Sequence, residues 1–196
     1  MLLLGESGSG KSTLLSLICG TILADSGIVM IGGTEIRTLP GWSRDSFRAE
    51  QIGVIFQQFN LLPFGSVVDN ILLPLRFAPE RRGRCHDAPQ QAVDMCRALG
   101  LPDGIEGSKA ANLSVGQQQR VAVVRALIGQ PSILIADEPA SSLDETSQAN
   151  FLDLLFSQVR AHDSTLLMVS HNPRLSERFD RVIYMSEIAM VERCEA

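Results

Sequence analysis

Apolar residues along this chain fall into two alternating patterns. Short continuous runs occur at Met1–Leu4, Ile52–Phe56, Ile133–Ala136, Thr165–Ser170 and Arg181–Met185. Runs of this length, bounded by turn residues, predict strands buried on both faces, as in a parallel sheet. Between them lie segments with helical spacing. Leu14, Leu15, Leu17 and Ile18 form one, Gln90–Leu99 ends at Gly100, Val115–Ile128 stops before Gly129 and Pro131, and Ser147–Arg160 follows. Gly27–Gly33 reads as a short strand closed by a Gly-Gly turn, within a reduced antiparallel region over Thr21–Phe56. Phe59–Phe77 reads as a loop followed by a short helix, and Pro79–Pro89 as a polar, Arg-rich, exposed connection. Strands alternating with helices predict an α/β fold with a parallel sheet core.

Composition narrows the class. With 196 residues the chain is long enough for one domain with a real core. A net charge of −5 disfavours a general nucleic-acid binder, so no nucleic acid is expected among its partners. No apolar run reaches the roughly 18 residues of a membrane span, and no basic stretch followed by an apolar one marks a signal peptide. Cys19, Cys85, Cys96 and Cys194 are scattered without a C-x-x-C pair, which favours reduced thiols over disulfides or zinc.

The chemistry is announced at the amino end. Gly5-Glu6-Ser7-Gly8-Ser9-Gly10-Lys11-Ser12 fits G-x-x-x-x-G-K-[ST], the P-loop, between a predicted strand and a predicted helix. The glycines let successive N–H groups face a phosphate, and the helix adds its positive end. Lys11 can reach the β and γ phosphates, and the Ser12 hydroxyl can ligate Mg²⁺. A glycine-rich turn that binds nothing would not require Lys and Ser at these places. Ile133-Leu134-Ile135-Ala136-Asp137-Glu138 is an apolar strand ending in two carboxylates, the Walker B pattern. Asp137 would orient Mg²⁺ through water, and Glu138 would act as general base on the attacking water. An acidic helix cap is the competing reading, weakened by the P-loop upstream. Ligands in such sheets gather at the carboxyl ends of strands, so both motifs can serve one site.

Leu113-Ser114-Val115-Gly116-Gln117 lies between them, and here the chain resembles the ATP-binding cassette family, whose signature is L-S-G-G-Q. Gln57 in Val54-Ile55-Phe56-Gln57 matches the Q-loop, Pro139-Ala140-Ser141-Ser142-Leu143-Asp144 the D-loop, and His171 the switch histidine. The resemblance covers nearly the whole chain. It implies a P-loop NTPase with a RecA-like lobe at 1–58 and 129–196 and an inserted helical subdomain at 67–128. It implies hydrolysis of ATP with Mg²⁺, Gln57 and His171 positioning the water, and Gln57 also reaching the metal. Ser114 and Gly116, opening a helix over Gly116–Ile128, would clamp the γ-phosphate of ATP held by a partner subunit. Two chains would then form a two-fold homodimer around two ATPs. Taken alone, Ser114 is equally an ordinary helix cap, Gln57 a solvated loop residue and His171 a core histidine.

Asn60-Leu61-Leu62-Pro63 and Asp69-Asn70-Ile71-Leu72-Leu73-Pro74-Leu75 resemble the lipoprotein-release and macrolide-export branch. That branch implies an FtsX/MacB-like integral-membrane permease, met by Phe59, Leu61 and Phe64, and a peripheral place on the cytoplasmic face of the inner membrane. Alternatives are a non-transport cassette protein and a cassette that no longer hydrolyses. Val115 replaces the first signature glycine, a tolerated change, and Ala140 stands where many members have Thr. The sequence opens at Met1 within the P-loop strand, and no aromatic residue precedes Lys11 to stack on adenine. Stacking is worth roughly 1–3 kcal/mol per base in nucleic-acid complexes, so ATP affinity about ten- to a hundred-fold below that of an aromatic-bearing cassette is expected by titration. A truncated form or a displaced start is the matching expectation. An upstream reading frame encoding a strand pair with an aromatic would agree with it, and an in-frame stop would not.

Overall fold

A computed structural model of the chain describes residues 1–141 and 143–190, so Ser142 of the D-loop and Cys194 lie outside the described residues. In chain order the elements are β1 (Leu2–Leu4), α1 (Lys11–Ile18), β2 (Met30–Ile31), β3 (Thr34–Glu35), α2 (Gly41–Gln51) and β4 (Ile52–Ile55). They continue with α3 (Val67–Leu72), α4 (Pro79–Gly83), α5 (Ala88–Ala98), α6 (Val115–Leu127) and β5 (Ile133–Asp137). The last are α7 (Glu145–Ala161), β6 (Thr165–Ser170), β7 (Val182–Tyr184) and α8 (Met185–Ile188). The chain divides into two compact units, residues 1–48 with 167–196 and residues 49–166, with boundaries inside α2 and β6.

In the first unit β1 runs parallel between β6 and β7, with Leu3 opposite Val169 on one side and Ile183 on the other. Leu2, Leu3 and Leu4 are all buried, as a central strand requires. β2 and β3 form an antiparallel hairpin around the predicted Gly32-Gly33 turn, where both glycines take positive φ. α2 was not foreseen. Its sequence, Gly-Trp-Ser-Arg-Asp-Ser-Phe-Arg-Ala-Glu-Gln, has too few apolar positions to announce a helix.

In the second unit β4 and β5 pair in parallel, Ile52 opposite Ile133 and Ile55 opposite Ala136. α6 packs on β4 so closely that a Cβ on Gly53 would lie 2.1 Å from the Ala126 carbonyl oxygen. α3 packs against α5 and α6. Polar residues set where helices start. Ser66 and Asp69 form a reciprocal capping box on α3, and Asp87 accepts from Gln90 N at the start of α5.

The stretch expected to be an exposed connection is partly buried. Residues 79–83 form α4, and Arg81 is 1% exposed. Its guanidinium donates to the carbonyls of Ala49, Ile52, Ala126 and Ile128. The Glu50 carboxylate accepts from Glu80 N and Arg81 N, both at 2.9 Å, and so caps α4. Burial pushes the Arg81 pKa down to about 10, with Glu50 opposing the shift. A polar composition misled the reading because a guanidinium can be buried wherever several chain ends offer it carbonyl oxygens. Arg81→Ala is expected to lower stability by about 3–5 kcal/mol, because it leaves buried carbonyls unpaired and opens a cavity. Urea unfolding measures it, and a loss below about 1 kcal/mol would show that water replaces the guanidinium.

Candidate nucleotide site

The predicted site residues fall into two groups, one on each unit. On the first, the P-loop leaves β1 and enters α1. Gly10 is the N-cap of α1 at φ 90°, a left-handed conformation costly for any other residue. It has no side chain to occupy the first amides of the helix, and no acidic residue sits in the first turn. Those amides and the positive helix end are thus available to an anion. Gly5 meets a second constraint, since a Cβ there would lie 2.5 Å from Ser9 Oγ and 3.0 Å from Met185 Cβ.

Lys11 is buried, and its ammonium donates to the carbonyls of Gly5 and Glu6, each at 2.7 Å. An ammonium carries three donor hydrogens, so one remains for a phosphate oxygen. Ser12 sits exposed one residue further on. A cavity of about 770 Å³ is lined by Gly5, Glu6, Ser7, Gly8 and Ser9 of the loop, together with His171 from the end of β6. The structure therefore brings His171 and the P-loop to one cavity. Tyr184 and Met185, at the end of β7, line it as well.

On the second unit, β5 delivers Asp137 and Glu138, both half-buried, at its carboxyl end. Glu138 has φ 44°, a left-handed conformation uncommon outside glycine and frequent at functional positions. The Gln57 amide donates from Nε2 to Ser141 Oγ at 3.3 Å, which leaves Oε1 as an acceptor. Gln57 and the loop after Glu138 are therefore in contact. Asp144 caps α7, accepting from Ser147 N at 3.0 Å, and hydrogen bonds first from the Ser147 side chain and then from its backbone hold the Asp144 carboxyl below the ordinary value.

Ser114 is exposed and is the N-cap of α6, which starts at Val115, as the helical spacing of Val115–Ile128 predicts. Its Oγ accepts from Gln117 N, and Gln117 Oε1 accepts from Ser114 N. The plain capping role is therefore real, and the hydroxyl keeps its own hydrogen to donate elsewhere. A Cβ on Gly116 would meet nothing within 4 Å.

Two residues escaped the sequence reading. Gln119 is buried and donates from Nε2 to the Pro139 carbonyl at 2.8 Å, tying α6 to the segment after Glu138. Arg125 is buried and holds the carbonyls of Phe59 and Asn60. A single cation inside the apolar run Val121–Leu127 was the available signal. Phe59, expected to meet a permease, is 6% exposed and belongs to the core, whereas Phe64 is 76% exposed.

Residues 1–141 match the family described as ABC transporter. The chain belongs to the ABC transporter family. It is 35% identical over 191 residues to the lipoprotein-releasing system ATP-binding protein LolD of Legionella pneumophila (strain Paris), covering 97% of this chain and 82% of that protein. It is 41% identical over 181 residues to the uncharacterized ABC transporter ATP-binding protein MT1014 of Mycobacterium tuberculosis (strain CDC 1551 / Oshkosh), covering 92% of this chain and 71% of that one. Among solved structures, the dimeric bacterial ABC transporter cassette MJ0796 matches with a TM-score of 0.78 at 32% identity, over 93% of this chain and 79% of that one. The same cassette in a post-hydrolysis state, bound to ADP and Pi, matches with a TM-score of 0.76 at 33% identity. The fold is thus the α/β P-loop fold of an ABC cassette, and the chain is an ATP-binding, ATP-hydrolysing subunit of an ABC transporter.

Gly10→Ala puts a Cβ on a left-handed residue at the mouth of α1. It is expected to cost about 1–2 kcal/mol of stability and to weaken ATP binding about tenfold or more. Isothermal titration of the folded variant measures this, and unchanged affinity would mean that the amides of α1 do not face the phosphates.

Proposed function

We propose that this ABC ATPase drives an integral-membrane permease in lipoprotein release or a related export step. In this reading it works as a two-fold dimer around two Mg-ATP, peripheral to the cytoplasmic face of the inner membrane. The observation that carries the branch is the similarity to a lipoprotein-releasing ATP-binding protein along 97% of this chain. No helix among the described residues is long and apolar enough to cross a membrane. Of the expected contacts to the permease Phe64 is exposed, Leu61 is half-buried and Phe59 is in the core, and the exposed Leu62 adds a further apolar residue beside Phe64.

The roles follow from the chemistry of each group. Lys11 and the amides from Gly5 to Ser12 hold the phosphates. Glu138 takes a proton from the attacking water as general base, and His171 and Gln57 orient that water. Ser12, Asp137 and Gln57 offer a hydroxyl, a carboxylate and an amide oxygen, the hard oxygen donors that suit Mg²⁺ alongside phosphate. When bound there, Mg²⁺ neutralises charge on the phosphates. Gln57 fits this set because its Nε2 donates to Ser141 Oγ, which leaves Oε1 as the acceptor. Ser114 and Gly116 serve the ATP of the second subunit, and the open space over Gly116 supports an approach from outside the chain.

Glu138→Gln is expected to lower turnover about a hundredfold or more while keeping ATP affinity, and turnover at the normal rate would refute its role as base. Light scattering on that variant should show a monomer that becomes a dimer only with Mg-ATP. A monomer in both conditions would count against the dimer as an intrinsic property of this chain. Gly116→Ala should hold or raise the melting temperature, because alanine favours helix, yet weaken ATP-dependent dimerisation and turnover. Turnover and dimerisation unchanged in that variant would remove Gly116 from the clamp.

A further inference from the structure

Arg125 sits on α6 in a run from Val121 to Leu127 whose other side chains are apolar and buried, and it is itself only 7% exposed. Taking a guanidinium out of water is costly unless its donors are satisfied. Its polar partners among the described residues are two backbone carbonyls, with Nη1 donating to Asn60 O at 2.7 Å and Nη2 to Phe59 O at 2.5 Å. Burial lowers its pKa from the ordinary arginine value, and no carboxylate offsets the shift. A methionine or leucine would fill the same volume without that cost, so packing alone does not account for the residue.

The two carbonyls belong to an unusual turn. Phe59 and Asn60 have φ of 59° and 48°, two successive left-handed residues without a glycine. Such a pair persists only where its surroundings over-determine it. Phe59 N donates to Phe56 O at 3.0 Å, so Gln57 is the second residue of the turn that Phe59 closes. The fork of the guanidinium takes both carbonyls as they leave this turn. From the other side, Gln57 Nε2 reaches Ser141 Oγ, while Gln119 on the same helix as Arg125 holds the Pro139 carbonyl. α6 therefore grips the backbone on both sides of Gln57: the loop after β4 through Arg125, and the loop after β5 through Gln119.

We propose that Arg125 is a positioning residue for Gln57: its guanidinium locks the strained Phe59–Asn60 turn, so that the signature helix and the Gln57 loop act as one piece. This rests on the reading of Gln57 as a contact to water and metal. A lysine keeps the charge but lacks the planar fork whose fixed spacing lets Nη1 and Nη2 each serve one carbonyl, so it holds the turn less rigidly.

The test uses the full chain and its Arg125→Lys variant. Hydrogen exchange should show amides of residues 57–60 exchanging about tenfold faster or more in the variant, with β4 and β5 unchanged. Turnover should fall about tenfold with the KM for ATP within twofold, and this loss should vanish when Arg125→Lys is placed in a Gln57→Ala background. Exchange accelerated evenly over residues 49–166, or an equal turnover loss in the Gln57→Ala background, would overturn the proposal and leave Arg125 a general stabilising residue. Gln57→Ala at the normal rate, with residues 57–60 still loosened by Arg125→Lys, would instead refute the role of Gln57 and retain the lock on the turn.

Discussion

Backbone carbonyls at the ends of strands and helices must find donors once water is excluded, and in residues 49–166 that requirement organises the chain. Arg81 supplies donors to the ends of α2 and α6, Arg125 to the turn after β4, and Gln119 to the segment after β5. Each is buried, and each draws together segments far apart in sequence. Hydrophobic packing brings α6 onto β4 but does not by itself define which backbone oxygen faces which neighbour. Directional donors do, because a buried unpaired oxygen costs more than the net gain of an ordinary hydrogen bond.

The same economy of donors shapes the phosphate side. Lys11 is buried with two of its three hydrogens on the carbonyls of its own loop, so the ammonium is held in place before any ligand arrives. The loop needs left-handed glycine at Gly10 and a missing side chain at Gly5, where Ser9 and Met185 leave no room. A group held in advance loses little freedom on binding a ligand. Glu138 carries a left-handed backbone, a conformation that a residue other than glycine adopts only at a cost.

Much of this was legible in the residues. Continuous apolar runs placed β1, β4, β5, β6 and β7; in β1, the middle of β5 and most of β6 they match strands that are buried throughout. The motif around Lys11 and the carboxylates at the end of β5 stand out in the sequence because that combination of groups and spacing is specific. α2 was not legible, since its run holds too few apolar positions, and α4 was hidden by the arginines that made it look exposed. Phe59 looked like a docking residue because an aromatic in a loop reads as exposed. Its left-handed backbone turns it inward.

The sequence by itself determined the family, the ATPase chemistry and the order of β1, β4, β5, β6 and β7 with α1, α5, α6 and α7, because these rest on residue identity, spacing and periodicity. Tertiary structure alone decided what the buried polar residues do. Nothing local in Arg81, Gln119 or Arg125 tells which carbonyl each one serves, since those oxygens come from segments 20 to 66 residues away. A hydrogen-bond donor is recognisable in a sequence, whereas its acceptor is chosen only when the fold brings distant backbone into reach.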